Sequence, residues 1–500
     1  MRAPTEKEIE NSFDGNLCRC TGYRPILDAA KSFAHRADVF SNGSTAIPKK
    51  AQANGGGCCG GAGPDAVCCR MNEQTSTIPQ ESSVHFPLVD FKKHDPTQEI
   101  IFPPRLMKRI PQPLAFQSEK TQYYRPTDLQ QVLQIKALYP KAKLIGGNTN
   151  VGLEVRFNNK YYSHLVDLSA IEELKTVQIS DKGITIGANV TIFNFQKALE
   201  EALKGVSDEQ AHVLKAFLTN CETLANRQVR NVASVGGNVV TAASVSNLNP
   251  VFVAARATFK IISVGSMSDF ISNSNPVPAA DKNTFNSKSS EEGVASSQEI
   301  SAEEFFADPK MATLLDQDRD VLTQIFIPLT RQGEYIRAFK HSKRHDDDMA
   351  TITAAMRVQL SEDDRVMEAS LVYGGMAKRI CRLTLATKYL VGETWGDKDV
   401  LNKALDLLDK EMPLQHSSKG GMPEYRRTLA KSLFVRFWWY IIEQRKMNLQ
   451  HDQGDLGLLT SELHRHVSRG TQDVKGAKSG AKTKVVNHDK LHVAAKRQAT

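Results

Sequence analysis

Two kinds of residue in this sequence have the type and spacing to do chemistry. The first is a Cys-x-Cys pair, Cys18 and Cys20, in the stretch GNLCRCTGYRPI at residues 15 to 26. Two thiolates are half of what a structural zinc site or a [2Fe–2S] cluster needs, since both take four ligands, usually from two such pairs. The second is a pair of glycine loops. LIGGNTNVGLE places Gly146, Gly147, Asn148 and Thr149 directly after an apolar run, and RQVRNVASVGGNVVTA places Ser234, Gly236, Gly237 and Asn238 beside two more. Consecutive glycines offer backbone N–H groups with no Cβ in the way, which a pyrophosphate needs in a close cradle. Neither loop is G-x-G-x-x-G or a Walker loop, and one Gly-Gly-Asn turn alone is more often plain turn chemistry. Two of them in one domain point to one extended, phosphate-bearing ligand.

Composition bounds the rest. A chain of 500 residues is long enough for two to four folded units with a sizeable core. It has no run of about 18 apolar residues and no secretory n-region and h-region, so no membrane partner is expected. The expected compartment is the cytoplasm, with the peroxisome as the alternative. In a reducing compartment clustered cysteines bind metal or stay free, and Cys58, Cys59, Cys68 and Cys69 in NGGGCCGGAGPDAVCC are expected to be free thiols. The 64 Lys+Arg against 56 Asp+Glu leave +8, much of it near the ends. Residues 451–500 carry nine Lys/Arg against five Asp/Glu. They lack interleaved aromatics, so no nucleic-acid partner is expected.

The elements that must position these residues follow from periodicity. Residues 1–40 read as a small helical unit, with Pro25 at a first-turn position and Ile26, Ala29, Ala30 and Phe33 at helical spacing. Residues 41–112, rich in Gly, Ser, Pro and Asn at their start, read as a linker. Thr127-x-x-Gln130 reads as a capping box opening a helix whose Leu129, Val132, Leu133 and Leu138 share a face until Pro140. That helix leads into the first glycine loop. Short β-type runs follow at 164–169, in KTVQIS and in GITIGA, with helices over 191–205 and 208–220. Helices alternating with strands make the fold α+β or α/β. The Ser/Asn/Glu-rich stretch 266–303 reads as a surface insertion. After Pro328, strands at 335–340, 350–360 and 365–373 precede helices near 398–411 and 424–445, and 451–500 reads as a tail.

Taken in order, GNLCRCTGYRPIL, LIGGNTNVGLEVRF, RNVASVGGNVVTA, AFKHSKRHDDDMA, LVYGGMAKR and GGMPEYRRTL closely resemble the xanthine dehydrogenases, the molybdenum hydroxylase family that includes the aldehyde oxidases. The resemblance implies an oxidoreductase in which electrons pass from molybdenum through two [2Fe–2S] clusters to FAD and on to NAD+ or oxygen. It implies an α+β architecture in three parts. Residues 1–40 would be part of a helical [2Fe–2S] domain, 113–330 an FAD-binding domain of the vanillyl-alcohol-oxidase/PCMH type, and 335–450 a CO-dehydrogenase-flavoprotein C-terminal-like domain. Cys18 and Cys20 would be two of four cluster ligands, the other two coming from an earlier C-x-x-C pair that this sequence does not include. The molybdenum domain is absent as well, so the segment is not expected to hydroxylate a purine itself.

By the same resemblance the FAD pyrophosphate and ribityl chain fall on Leu144, Ile145, Gly146, Gly147, Asn148, Thr149, Asn150 and Val151, and on Ser234, Val235, Gly236, Gly237 and Asn238. Leu224, Asn247, Leu322 and Lys340 fall at further flavin-contacting positions, Lys340 as a cation for the electron-rich end of a reduced isoalloxazine. No side chain is assigned a catalytic role, and a homodimer is left open. Two positions depart from the family pattern: Leu224-Ala225-Asn226 replaces an aromatic and a glycine, and Asn247 replaces an aspartate. Each loss is on the order of 1 kcal/mol of cofactor binding. The alternative reading is a non-catalytic remnant that docks to or dimerises with full-length partners.

Overall fold

Short polar side chains set where the helices begin. A computed structural model describes residues 4–16, 22–31, 33–34, 103–108, 110–264, 295–307, 314–344, 347–414 and 420–447. Helix α1 (Glu6–Ser12) opens on a capping box in which Thr5 Oγ1 accepts from the Glu8 N–H and Glu8 accepts from the Thr5 N–H. Helix α2 (Arg24–Lys31) is tied back to α1 by an ion pair of 2.8 Å between Lys31 and Glu10. A single turn, α3 (Pro104–Met107), precedes the first strands.

The first sheet comprises β1 (Leu114–Gln117), β2 (Gln122–Arg125), β3 (Lys143–Ile145) and β4 (His164–Asp167) in the order β1-β2-β4-β3. Strands β3 and β4 run parallel and are therefore joined by a crossover helix, α5 (Val151–Phe157). Helix α4 (Leu129–Leu138) starts one residue later than its sequence suggests. Asp128, not Thr127, accepts from the Gln131 N–H, and the Gln131 side chain accepts from the Thr127 N–H. Its buried face is Val132, Leu133, Ile135 and Lys136, while Leu138 is exposed. Lys136 lies in the core because its Nζ donates to the carbonyls of Pro140, Ala142 and Gln317. Burial holds its pKa below the ordinary lysine value.

The second sheet is antiparallel, in the order β5 (Val177–Ile179), β6 (Gly183–Gly187), β9 (Asp320–Pro328), β7 (Thr258–Val264), β8 (Ala295–Ser301). Strand β8 is formed by the end of the stretch read as a surface insertion, so that reading is corrected there. Residues 295–301 pair along the whole of β7, and residues 265–294 lie outside the described residues. Helices α6 (Ile192–Ala202), α7 (His212–Glu222), α8 (Arg227–Arg230), α9 (Val235–Thr241) and α10 (Asn249–Ala254) accompany this sheet. Their core runs through a chain of fully buried rings, Phe195, Phe217, Phe252, Phe259 and Phe305, with successive centroids 5.6, 4.9, 5.9 and 4.9 Å apart. Such pairs add about 1 kcal/mol each beyond the area they bury.

The third sheet is an antiparallel meander, β10 (Glu334–Ser342), β11 (Ala350–Leu360), β12 (Val366–Gly374) and β13 (Cys381–Arg382), followed by helices Thr384–Leu390 and Lys398–Glu411. Ile336, Ala338, Ala355 and Val372 on its inner face join the same apolar core as the second sheet. The fold class is α+β, as the sequence implied. The chain divides at Phe434 into two units. The first holds every sheet; in the second, the described residues 435–447 complete the final helix, Pro423–Arg445, and two further residues.

At the edge of the shared core Glu334, 2% exposed, faces two guanidinium groups, Arg357 at 2.9 Å and Arg256 at 2.8 Å. Glu368 closes the cluster at 2.9 Å from Arg357. Removing Glu334 takes away the buried carboxylate and leaves both guanidinium groups to share the half-exposed Glu368, so Glu334→Ala should lower unfolding stability by about 3 kcal/mol in urea denaturation. A loss below about 1 kcal/mol would show that the cluster is solvated.

Candidate cofactor site

The first glycine loop is the turn between β3 and α5. Strand β3 ends at Ile145, Asn148 takes a left-handed φ of 57°, and helix α5 starts at Val151. Among the described residues, the N–H groups of Gly147, Asn148 and Thr149 donate to no protein acceptor. A run of such N–H groups around a left-handed residue is an anion-binding concavity.

Two other strips of backbone close on this loop. An added Cβ at Gly147 would lie 1.7 Å from the Val232 carbonyl oxygen, and one at Gly146 would lie 2.5 Å from Ser234 Oγ. A Cβ at Gly236 would lie 2.5 Å from the Ala188 carbonyl oxygen. Residues 188–192 and 233–236 are stitched together by Gly236 N–H to Ala188 O at 2.7 Å, Val235 N–H to Val190 O at 2.9 Å and Ile192 N–H to Ala233 O at 2.8 Å. The two loops that look alike in sequence therefore differ in state. In the second, the Gly237 N–H donates to Ser234 Oγ and the Asn238 N–H to Ser234 O, so its amides are spent inside the protein. It braces the first loop, whose amides remain free.

Between the strips lies a cavity of about 410 Å³ lined by Ile145, Gly146, Gly147 and Asn148, with Tyr123, Asp167, Ser169, Lys175, Asn189, Val190, Thr191, Asn194, Asn231 and Val232. Asp167 is fixed there by the Tyr123 hydroxyl at 2.6 Å, the Ser169 N–H at 2.8 Å and the Ser169 hydroxyl at 2.9 Å. Burial, reinforced by the bond to Asp167, pushes the Tyr123 pKa up to about 12, so its hydroxyl stays a donor. Lys175 adds a cation, itself paired with Glu172 at 2.9 Å. The glycine motif located this cavity. Tyr123, Asp167, Lys175, Asn189, Thr191 and Asn194 come from strand ends and turns with no spacing that would single them out.

The remaining expected site residues gather elsewhere. Lys340, on β10, donates its Nζ to the Thr223 carbonyl beside Leu224, and stands opposite Thr353 of β11. Thr353 Oγ1 in turn donates to the Ser246 carbonyl at 3.0 Å. The neighbouring Asn247 is 8% exposed, its carbonyl accepts from Asn220 Nδ2 at 2.7 Å, and its own buried Nδ2 meets no acceptor. Asn238 holds this loop from below, accepting from Ser246 Oγ at 2.9 Å and donating to Asn249 Oδ1 at 2.8 Å. Leu322 and Val235 are buried in the core, Leu144 packs against the core of the first sheet, and Asn150 and Val151 begin α5. Cys18 and Cys20 lie outside the described residues, as do Cys58, Cys59, Cys68 and Cys69.

Comparison with known proteins gives this geometry a lineage. Residues 116–272 match the FAD binding domain in molybdopterin dehydrogenase, residues 337–441 the CO dehydrogenase flavoprotein C-terminal domain, and residues 1–31 the [2Fe-2S] binding domain. These matches make the chain similar to a fragment of a molybdenum hydroxylase. It is 35% identical over 500 residues to the xanthine dehydrogenase of Emericella nidulans, covering 99% of this chain and 33% of that protein. It is 34% identical over 445 residues to the xanthine dehydrogenase/oxidase of Mus musculus, covering 88% of this chain and 29% of that protein. The chain thus spans about a third of the length of the curated relatives it matches. Among solved structures, a carbon monoxide dehydrogenase of Hydrogenophaga pseudoflava shares the fold with a TM-score of 0.50 at 18% identity, over 64% of this chain and 96% of that one.

The residues present fit the flavin nucleotide that this family domain takes. Free amides at Gly147–Thr149 suit a pyrophosphate, the cavity's amide and hydroxyl side chains suit the polar remainder, and the orphaned Asn247 Nδ2 is a buried donor in want of an acceptor. Because the methyl of an alanine at position 147 would overlap the Val232 carbonyl, Gly147→Ala should abolish FAD retention with far-UV circular dichroism unchanged. Gly152→Ala is the control: its added Cβ would meet Asn148 side-chain atoms at 3.4 Å, an ordinary contact. Full flavin occupancy in the Gly147→Ala chain would show the cradle to be misplaced.

Proposed function

We propose that this chain is the FAD-binding electron-transfer portion of a xanthine dehydrogenase-like oxidoreductase, taking electrons from [2Fe–2S] centres and handing them to NAD+ or oxygen. The observation that carries the reading is the run of unpartnered amides at Gly147–Thr149 in a loop that lines the 410 Å³ cavity within a matched FAD-binding domain. Bound FAD supplies a carrier that accepts electrons singly from iron–sulfur centres and exchanges a hydride with a nicotinamide.

The chain's own groups do the rest. The amides of Gly147, Asn148 and Thr149 receive the pyrophosphate charge, and Lys175 offsets part of it. Tyr123 and Asp167 fix the polarity of one wall through the hydrogen bond that the tyrosine hydroxyl donates, and Ser234, Gly236 and Asn238 hold the loops in register. Lys340 is anchored by the Thr223 carbonyl beside Leu224 and provides positive charge near the electron-rich end of the flavin. Residues 113–330 and 335–450 are the corresponding functional domains, with 1–40 carrying Cys18 and Cys20 toward a [2Fe–2S] cluster. A homodimer in the cytoplasm, or in a peroxisome, is the setting that the family resemblance supports; no described helix is long and apolar enough to cross a membrane.

Reconstitution tests this. The purified full chain, incubated with FAD and desalted, should keep a visible flavin spectrum that anaerobic NADH bleaches and that returns on admission of air. A colourless protein after desalting would contradict the proposal, and a retained flavin that NADH leaves oxidised would remove NAD+ as the acceptor.

A further inference from the structure

Between α7 and α8 the chain makes a tight turn, residues 223–226, that carries both Leu224 and the carbonyl holding Lys340. Its backbone is strained: Ala225 has a φ of 46°, in the left-handed region that a Cβ disfavours. A conformation of this kind persists only where the surroundings hold it. Asn226 caps α8 by accepting from the Val229 N–H at 2.9 Å, and the main restraint is Arg230 at the end of that helix.

Arg230 is 6% exposed, and its Nη1 donates to the carbonyls of Glu222 at 3.4 Å, Leu224 at 3.2 Å and Ala225 at 2.7 Å. Its Nη2 donates to Asp14 Oδ2 at 2.8 Å, in a pair whose side chains are 8% and 20% exposed. A guanidinium does not shed its proton. Buried, it needs a carboxylate as well as carbonyl dipoles, and the carboxylate comes from the N-terminal helical segment. Asp14 lies two residues beyond α1 and four before Cys18. Gly15, at a φ of +81°, lies against the end of the Gln228 side chain, whose Oε1 would be 2.0 Å from an added Cβ. The turn is therefore gripped by cations from two sides, Arg230 on three carbonyls and Lys340 on the fourth.

We propose that Arg230 is a positioning residue through which docking of the N-terminal segment, by way of Asp14, sets the shape of the 222–226 turn and thereby the strength of FAD binding. The inference rests on the FAD reading above and deepens it. Without Asp14 the guanidinium is left buried among dipoles alone and moves toward water, releasing the carbonyls of Glu222, Leu224 and Ala225. The coupling works in both directions, since a turn tightened by bound FAD holds Arg230 in place for Asp14.

The test uses the full chain with Asp14→Ala, Asp14→Glu and Glu10→Gln. The last removes the Glu10–Lys31 pair within the N-terminal segment while leaving Asp14 in place. Amide hydrogen exchange reads the turn, and quenching of added FAD fluorescence reads affinity. Asp14→Ala should speed exchange over 222–226 and weaken FAD binding about tenfold, the order of one charge-assisted hydrogen bond. Asp14→Glu should restore FAD affinity to within about twofold, and Glu10→Gln should change neither reading. Unchanged exchange at 222–226 in Asp14→Ala overturns the coupling, and faster exchange with unchanged FAD affinity overturns the positioning role. If the unmodified chain binds no FAD, the proposed function fails and the cofactor half of this inference falls with it, while exchange at 222–226 still decides the link to Asp14.

Discussion

The backbone of Gly147 passes so close to the Val232 carbonyl that a single added carbon would lie 1.7 Å from the oxygen. Most of the site depends on that approach. It brings the turn after β3 against the strip before α9, and the hydrogen bonds from Val235 and Gly236 to Val190 and Ala188 then bring in the end of β6. Three segments far apart in sequence become one wall. The amides of Gly147, Asn148 and Thr149 are left without protein acceptors, and Gly147 and Asn148 line a cavity whose other sides are supplied by Tyr123, Asp167, Lys175 and Asn194. Glycine is required here for packing between protein strips, and the free amides follow from that packing.

The same economy appears at the 222–226 turn, where carbonyls rather than amides are exposed and cations rather than anions satisfy them. Arg230 and Lys340 come from different domain matches, residues 116–272 and 337–441, and Asp14 from a third, residues 1–31. The turn is thus held by Arg230 and Lys340 directly and by Asp14 through Arg230. A second junction, Glu334 with Arg357 and Arg256, fixes the third sheet to the chain leaving α10. Together with the shared apolar core, these contacts join the second and third sheets.

The sequence made some of this legible and concealed the rest, for physical reasons. A helix with a polar cap and strands bounded by turn residues were readable because local chemistry dictates them: α6 behind Thr191, β6 after the turn at 181–183, and the long meander of the third sheet. The first glycine loop was readable as a stretch of backbone without Cβ atoms, and its amides are indeed without protein acceptors. Its near-copy at 234–238 was misleading, because whether an amide is free depends on what packs against it, and Ala188 and Ser234 cannot be inferred from the loop's own residues. Strand β8 was hidden because ASSQEIS is polar and lies at a sheet edge, where pairing to β7 rather than propensity makes the strand. Lys136 was hidden because a lysine on an apolar helix face reads as a surface charge until three carbonyls are found around its Nζ. Asp14 lies in no motif, and Arg230, though it opens RNVASVGGNVVTA, shows nothing in its spacing that points to Asp14 or to the turn; their pairing is wholly tertiary.

Amide hydrogen exchange of the full chain, with and without FAD, tests the central claim most directly, because the two glycine loops begin in different states. Addition of FAD should slow exchange at Gly147, Asn148 and Thr149, whose N–H groups are free, and leave Val235, Gly236 and Gly237, already bonded within the protein, unchanged. Protection that appears at 235–237 and is missing at 147–149 would contradict the account.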